Sequence, residues 1–161
     1  DLAIFNGLDW GPTYLGLLVS NGGKLNPVRR YDNGSPENSL PGWQLQRRDT
    51  FWVSDVNGDK KEDLVVFNKN NWSTEYLGIL KSDGVSQLTG SWQSDWIGGW
   101  NLSPPDDFKV ADFKGGSGWV DLFVFNDNWF GMLRSFSSQF ALEAVYPKWI
   151  HNHRYHKYGW W

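Results

Sequence analysis

Short runs of alternating apolar and polar residues, each closed by a cluster of Asn, Gly, Asp or Ser, set the rhythm of this chain. In its middle third, alternation with β-branched and aromatic enrichment predicts strands over 51–54, 63–68, 75–81 and 86–92. The Asn, Gly and Asp clusters between them supply turns. No helical period lasts longer than a turn, and no apolar run approaches the roughly 20 residues that cross a bilayer.

The pattern recurs. Asp1-Leu2-Ala3-Ile4-Phe5-Asn6 returns as Asp63-Leu64-Val65-Val66-Phe67-Asn68 and as Asp121-Leu122-Phe123-Val124-Phe125-Asn126, at spacings of 62 and 58 residues. Each copy then carries a Trp in a polar turn (Trp10, Trp72, Trp129) and a strand-like run such as Tyr14-Leu15-Gly16-Leu17-Leu18 or Tyr76-Leu77-Gly78-Ile79-Leu80. A Ser follows (Ser20, Ser82, Ser135), and a Gly-Trp pair closes each copy at Trp43, Trp100 and Trp160. Four short antiparallel strands per repeat of this length is the pattern of a β-propeller blade. A solenoid or a sandwich is the alternative, although solenoid repeats are usually shorter. The repeats run over 1–49, 50–106 and 107–161. A strand and an acidic turn lead into the second and third Asp-Leu runs, whereas the first copy starts at Asp1. The expectation is an all-β chain of about three blades, the first lacking a strand. That makes it a partial propeller or a subunit of a larger ring, since closure takes about four or more blades.

Composition narrows the chemistry. The chain has 161 residues, a net charge of −3, no cysteine and 12 tryptophans. Scattered cations without a basic stripe argue against general nucleic-acid binding. Disulfide and cysteine-metal frameworks are excluded. Catalytic signatures such as a GxSxG elbow, a P-loop, HExxH or a nucleophilic cysteine are missing from the sequence, and adjacent carboxylates such as Asp106-Asp107 point apart on a strand or turn. The expectation is a non-enzyme.

The segment Asp55-Val56-Asn57-Gly58-Asp59-Lys60-Lys61-Glu62-Asp63 places side-chain oxygens at loop positions 1, 3, 5 and 9. With the Lys61 backbone carbonyl and a bidentate Asp63, these make six or seven hard oxygen ligands, a set that suits Ca2+. An ion-free Asx turn is the competing reading. Three clustered carboxylates without a cation repel one another, which favours the metal.

Asp55-x-Asn57-Gly58-Asp59-x-x-x-Asp63-Leu64 resembles the calcium loop of the FG-GAP/VCBS repeat family, found in integrin α-like propellers and fungal lectin-like propellers. The resemblance implies that the loop joins the first two strands of a blade. It further implies an extracellular, secreted or cell-surface protein. Lys60 stands where that family commonly has Gly, so the loop asks a non-glycine to adopt a left-handed turn. In the third copy Lys114 and Gly116 stand at ligand positions, so no ion is expected there.

Tryptophans that recur in every copy are expected to pack between blades. The unrepeated Trp52, Trp92, Trp96 and Trp149 are then the candidate ligand platforms, because aromatic faces suit the C–H faces of sugars. His151, His153 and His156 lie in a polar, aromatic-rich tail with no carboxylate or cysteine beside them to complete a metal set. The leading expectation is non-catalytic carbohydrate binding, with other copies or segments completing the ring. A protein-binding adhesion module, or a scaffold segment of a larger secreted enzyme or toxin, are the alternatives.

Overall fold

A computed structural model describes residues 1–7, 12–69, 75–113, 120–136 and 139–147. The chain is all-β. Sheet I holds β1 (Leu2–Asn6), β2 (Tyr14–Ser20) and β3 (Leu25–Asp32), in that order. A single 3-10 turn, Pro36–Asn38, follows. Sheet II holds β4 (Asp49–Ser54), β5 (Asp63–Asn68), β6 (Tyr76–Ser82) and β7 (Leu88–Ser94). A small ribbon of β8 (Trp96–Ile97) and β9 (Trp100–Asn101) leads into sheet III. Sheet III is β10 (Asp107–Ala111), β11 (Asp121–Phe125), β12 (Trp129–Phe136) and β13 (Gln139–Pro147). All pairings are antiparallel and sequential, as expected for strands joined by short turns.

The three sheets share one register. Leu2 pairs with Leu18, Leu64 with Leu80 and Leu122 with Leu133. A shift in the next ladder falls at Leu17/Leu18, Ile79/Leu80 and Met132/Leu133. Such bulges raise the local twist, and here each sheet takes the same extra twist at the same place.

Two apolar clusters lie between the sheets. Leu15 and Tyr31 of sheet I meet Leu64, Val66, Leu80 and Leu88 of sheet II. On the opposite face of sheet II, Val65, Phe67, Leu77 and Ile79 meet Phe108, Leu122, Val124 and Leu133 of sheet III. Sheet II is therefore covered on both sides, which is why β5 is buried at every position and reads as a continuous apolar run.

Each junction is locked by one tryptophan. Trp43 lies over Gly78, where an added Cβ would come 2.8 Å from Trp43 Cε3 and closer still to Cζ3. Trp100 lies over Gly131 in the same way, at 3.0 Å from Cε3 and Cζ3. Each indole is held from behind: Trp43 Nε1 donates to Asp49 Oδ2 and Trp100 Nε1 to Asp106 Oδ2, both at 3.0 Å. Gln46 N and Ser103 N donate to the same carboxylate oxygens. The packing expectation for the Gly-Trp tryptophans thus agrees with the positions of Trp43 and Trp100; Trp160 lies outside the described residues, as do Trp10 and Trp72.

Candidate functional site

The acidic loop joins β4 to β5, between the two strands that bring Ser54 opposite Asp63. Asp55 is its hub. Its Oδ1 accepts from Gly58 N (2.7 Å) and Asp59 N (3.2 Å), and its Oδ2 from Lys60 N (2.7 Å). Asn57 Oδ1 accepts from Asp59 N and Asp59 Oδ1 from Lys61 N, both at 2.9 Å. Lys60 has φ 66°, the one non-glycine at positive φ among the described residues. The turn thus imposes at Lys60 the left-handed strain that its sequence position anticipates.

Asp63 closes the loop and is fully buried. Its Oδ1 accepts from Ser82 N at 2.9 Å, and its Oδ2 from Asn57 Nδ2 at 3.1 Å. Burial pushes its pKa up, and the Asp59 and Asp55 charges add to that, against hydrogen bonds from Ser82 and Val56. The same Ser-to-Asp bond recurs at Ser20 N to Asp1 Oδ1 (2.9 Å) and Ser135 N to Asp121 Oδ1 (3.1 Å). Asp63 therefore has a structural duty that does not depend on a cation, since Asp121 performs it beside a loop with Lys and Gly at ligand positions. The donor chemistry of Asp55, Asn57, Asp59, Asp63 and the Lys61 carbonyl fits a hard cation. Among the described residues, no three His, Cys, Asp or Glu side chains converge on one metal-sized point; backbone amides occupy the facing oxygens instead.

A second feature is aromatic. A cleft of about 300 Å³ beside the β9 strand is lined by Gly99, Trp100, Asn101, Asn126, Trp129 and Val145. Asn126 builds the turn that presents Trp129: its Oδ1 accepts from Asn128 N and Trp129 N, both at 3.0 Å. Its Nδ2 donates to Asp106 Oδ1 at 2.8 Å, tying the turn to the Trp100 lock. Trp100 is buried, while the Trp129 side chain is 46% exposed. The site offers one accessible indole, on a backbone anchored by Asn126, with amide side chains beside it.

The candidate tryptophans separate in the structure. Trp52 and Trp92 are half-buried at the margin of the core, edge-on to Phe108 (5.5 Å) and Phe140 (5.9 Å) respectively. Trp96 is exposed on the β8 ribbon, and Trp149 lies outside the described residues. None of Trp52, Trp92 and Trp96 lines the cleft at Trp129 or the groove between Leu2 and Lys61. Trp129, a repeated position expected to pack, is exposed as well. Trp129, Gly131 and Leu133 share one face of β12, where Trp100 lies over Gly131 and lines the same cleft as Trp129.

The remaining sequence candidates have structural partners or lie outside the described residues. Asp106 is buried and accepts from Trp100, Ser103 and Asn126, while Asp107 accepts from Phe108 N. Arg30 pairs with Asp32 at 3.4 Å and lies over the Tyr14 ring. His151, His153, His156, Lys114 and Gly116 lie outside the described residues. One buried acid is anomalous: desolvation raises the Asp49 pKa to about 7, against hydrogen bonds from Trp43 and Gln46. Asp49 Oδ1 and Asn68 Oδ1, on residues paired across the β4–β5 ladder, both lack partners.

Fold and site together define an all-β protein of stacked antiparallel sheets with an acidic turn and an aromatic cleft. No family model, no curated protein and no solved structure matches the chain. Among the described residues, no helix is long and apolar enough to cross a membrane.

Proposed function

We propose that this chain is a propeller-type recognition module of the extracellular space, non-catalytic, that binds carbohydrate and takes one Ca2+ in its acidic loop. The observation that carries the carbohydrate reading is the cleft at Trp129. Its volume of about 300 Å³ is at the lower end of small-molecule sites. An indole face there can stack on sugar C–H groups while the Asn101 amide, on the exposed rim, offers both a donor and an acceptor to hydroxyls. The cleft walls contribute no free carboxylate: Asp106 behind them is wholly engaged, which supports binding over hydrolysis.

The calcium reading rests on donor chemistry and on Asp63. Its buried carboxylate, in the field of Asp59 and Asp55, is held in an environment that disfavours its charge, and a divalent cation reverses that penalty. Binding would draw the Asp59 and Asn57 oxygens from backbone amides toward the ion. The resemblance of the loop to the FG-GAP/VCBS pattern supports both the metal and the extracellular setting, where calcium is abundant.

The test is a glycan array probed with the intact, labelled chain. The proposal expects binding to a defined set of glycans; a blank array together with specific capture of a protein partner would favour an adhesion module instead.

A further inference from the structure

Four positions recur on one face of every sheet. In sheet II they are Leu64, Val66, Leu80 and Leu88, at 5, 0, 0 and 3% exposure, covered by sheet I and Trp43. In sheet III they are Leu122, Val124, Leu133 and Phe140, covered by sheet II and Trp100. In sheet I the registered equivalents are Leu2, Ile4, Leu18 and Leu25; among the described residues no sheet packs on them, and Leu2, Ile4 and Leu25 are 45, 41 and 47% exposed. Gly16, the equivalent of Gly78 and Gly131, has no indole over it among the described residues, where a Cβ would meet Ile4 O and Arg29 O at 3.8 and 4.0 Å.

The opposite end shows the converse. Val65, Phe67, Leu77 and Ile79 form the face with which sheet II covers sheet III. Their equivalents in sheet III are Phe123, Phe125, Phe130 and Met132, each only partly buried. They stack on one another and on exposed Tyr146, with Phe123 to Phe130 at 5.2 Å and Phe130 to Tyr146 at 4.9 Å. Among the described residues, the outer face of sheet I is a seat without an occupant, and the outer face of sheet III is an occupant's face without a seat. Both are made from positions that bury each other at the two internal junctions. Contiguous apolar faces of this kind mark interaction sites.

We propose that the outer face of sheet III of one copy packs on the outer face of sheet I of a second copy, head to tail, continuing the internal junctions. The contact is heterologous, so it either closes or propagates. Two copies bring six sheets together, within the range of about four to eight that closes a propeller ring. This inference rests on the repeat and on the packing of sheets, not on calcium or sugar.

The test measures solution mass by light scattering and sedimentation, using the full chain and two variants, Ile4→Arg on the seat and Phe123→Arg on the opposite face. Wild type should sediment at twice 18.6 kDa. Each variant should lose about 30-fold or more in association, with circular dichroism unchanged because both side chains lie on outer faces. An equimolar mixture of the two variants should recover the dimer mass, because one of its two contacts is then unmutated on both sides. Wild type that stays at the monomer mass at 50 µM (about a hundredfold above the dissociation constants typical of stable assemblies) overturns the proposal. So does a mixture that fails to regain mass, which would point to a symmetric contact.

Discussion

Gly78→Ala is a methyl group that decides whether the sheets are locked as described. Glycine inside a strand is normally a liability of about 0.5–1 kcal/mol relative to alanine, so without a lock the substitution stabilises. With the lock, the new Cβ lies 2.8 Å from Trp43 Cε3 and overlaps Cζ3. Trp43 has little freedom to retreat, since it is buried and its Nε1 is tied to Asp49 at 3.0 Å. Overpacking of this kind costs about 1–3 kcal/mol, so the net effect is a loss of about 1–2 kcal/mol. In a chain of 161 residues that lowers Tm by about 2–8 °C. The decisive assay is a double-mutant cycle by urea denaturation. In a Trp43→Ala background, itself weaker by about 3–5 kcal/mol, Gly78→Ala should become stabilising, giving a coupling of about 2 kcal/mol. Gly131→Ala should behave like Gly78→Ala, and Gly16→Ala at submicromolar protein should be neutral or stabilising. An additive cycle, or a stabilising Gly78→Ala in the wild type, refutes the lock.

Three further outcomes follow from the same geometry. Asp59→Ala should abolish a calcium-induced rise in Tm while leaving the Tm in chelator within a few degrees of wild type; a wild type indifferent to chelator would exclude the metal. For Asp49, the folded pKa of about 7 lies above the unfolded value of 3.8, so the protonated acid is favoured by folding: its contribution, about 4 kcal/mol, is fully present below pH 4 and lost as pH rises through 7. Asp49→Asn keeps an acceptor for Trp43 and adds a donor for Asn68, so it should flatten the stability profile across that window, and an unchanged slope would assign the dependence elsewhere. Tyr31→Phe should cost about 1–3 kcal/mol in denaturant titration, because Leu88 N donates to the buried Tyr31 hydroxyl at 2.6 Å; a change below 0.5 kcal/mol (about the noise of such a surface effect) would show that water replaces the phenol.

The strands were legible because half-buried sheets impose a period of two, and the middle copy's runs fall within a residue or two of β4 to β7. The buried status of Trp43 and Trp100 was legible from their repetition beside Gly. The Gly78 partner was not, because it meets Trp43 only when the sheets stack, whereas Asp49, which holds the indole, lies just six residues from Trp43. The acidic loop could be read to the residue, including the strain at Lys60, because a tight turn is local. What its oxygens face depends on tertiary packing, and the Ser82 bond that occupies Asp63 spans 19 residues. The exposure of Trp129 was not legible from its repetition. Repetition separates packing from binding only where every copy has the same turn, and the third copy's two-residue turn, Asp127-Asn128, starts β12 early and leaves Trp129 at its open edge.

The proposed sugar site depends on the exposed Trp129 indole. Calorimetric titration of the best array glycan into wild type and Trp129→Ala tests it most directly. The prediction is a loss of about tenfold or more, at least 1.4 kcal/mol, with an unchanged melting temperature, since the exposed ring carries little of the core. Equal affinity in the two proteins would contradict it.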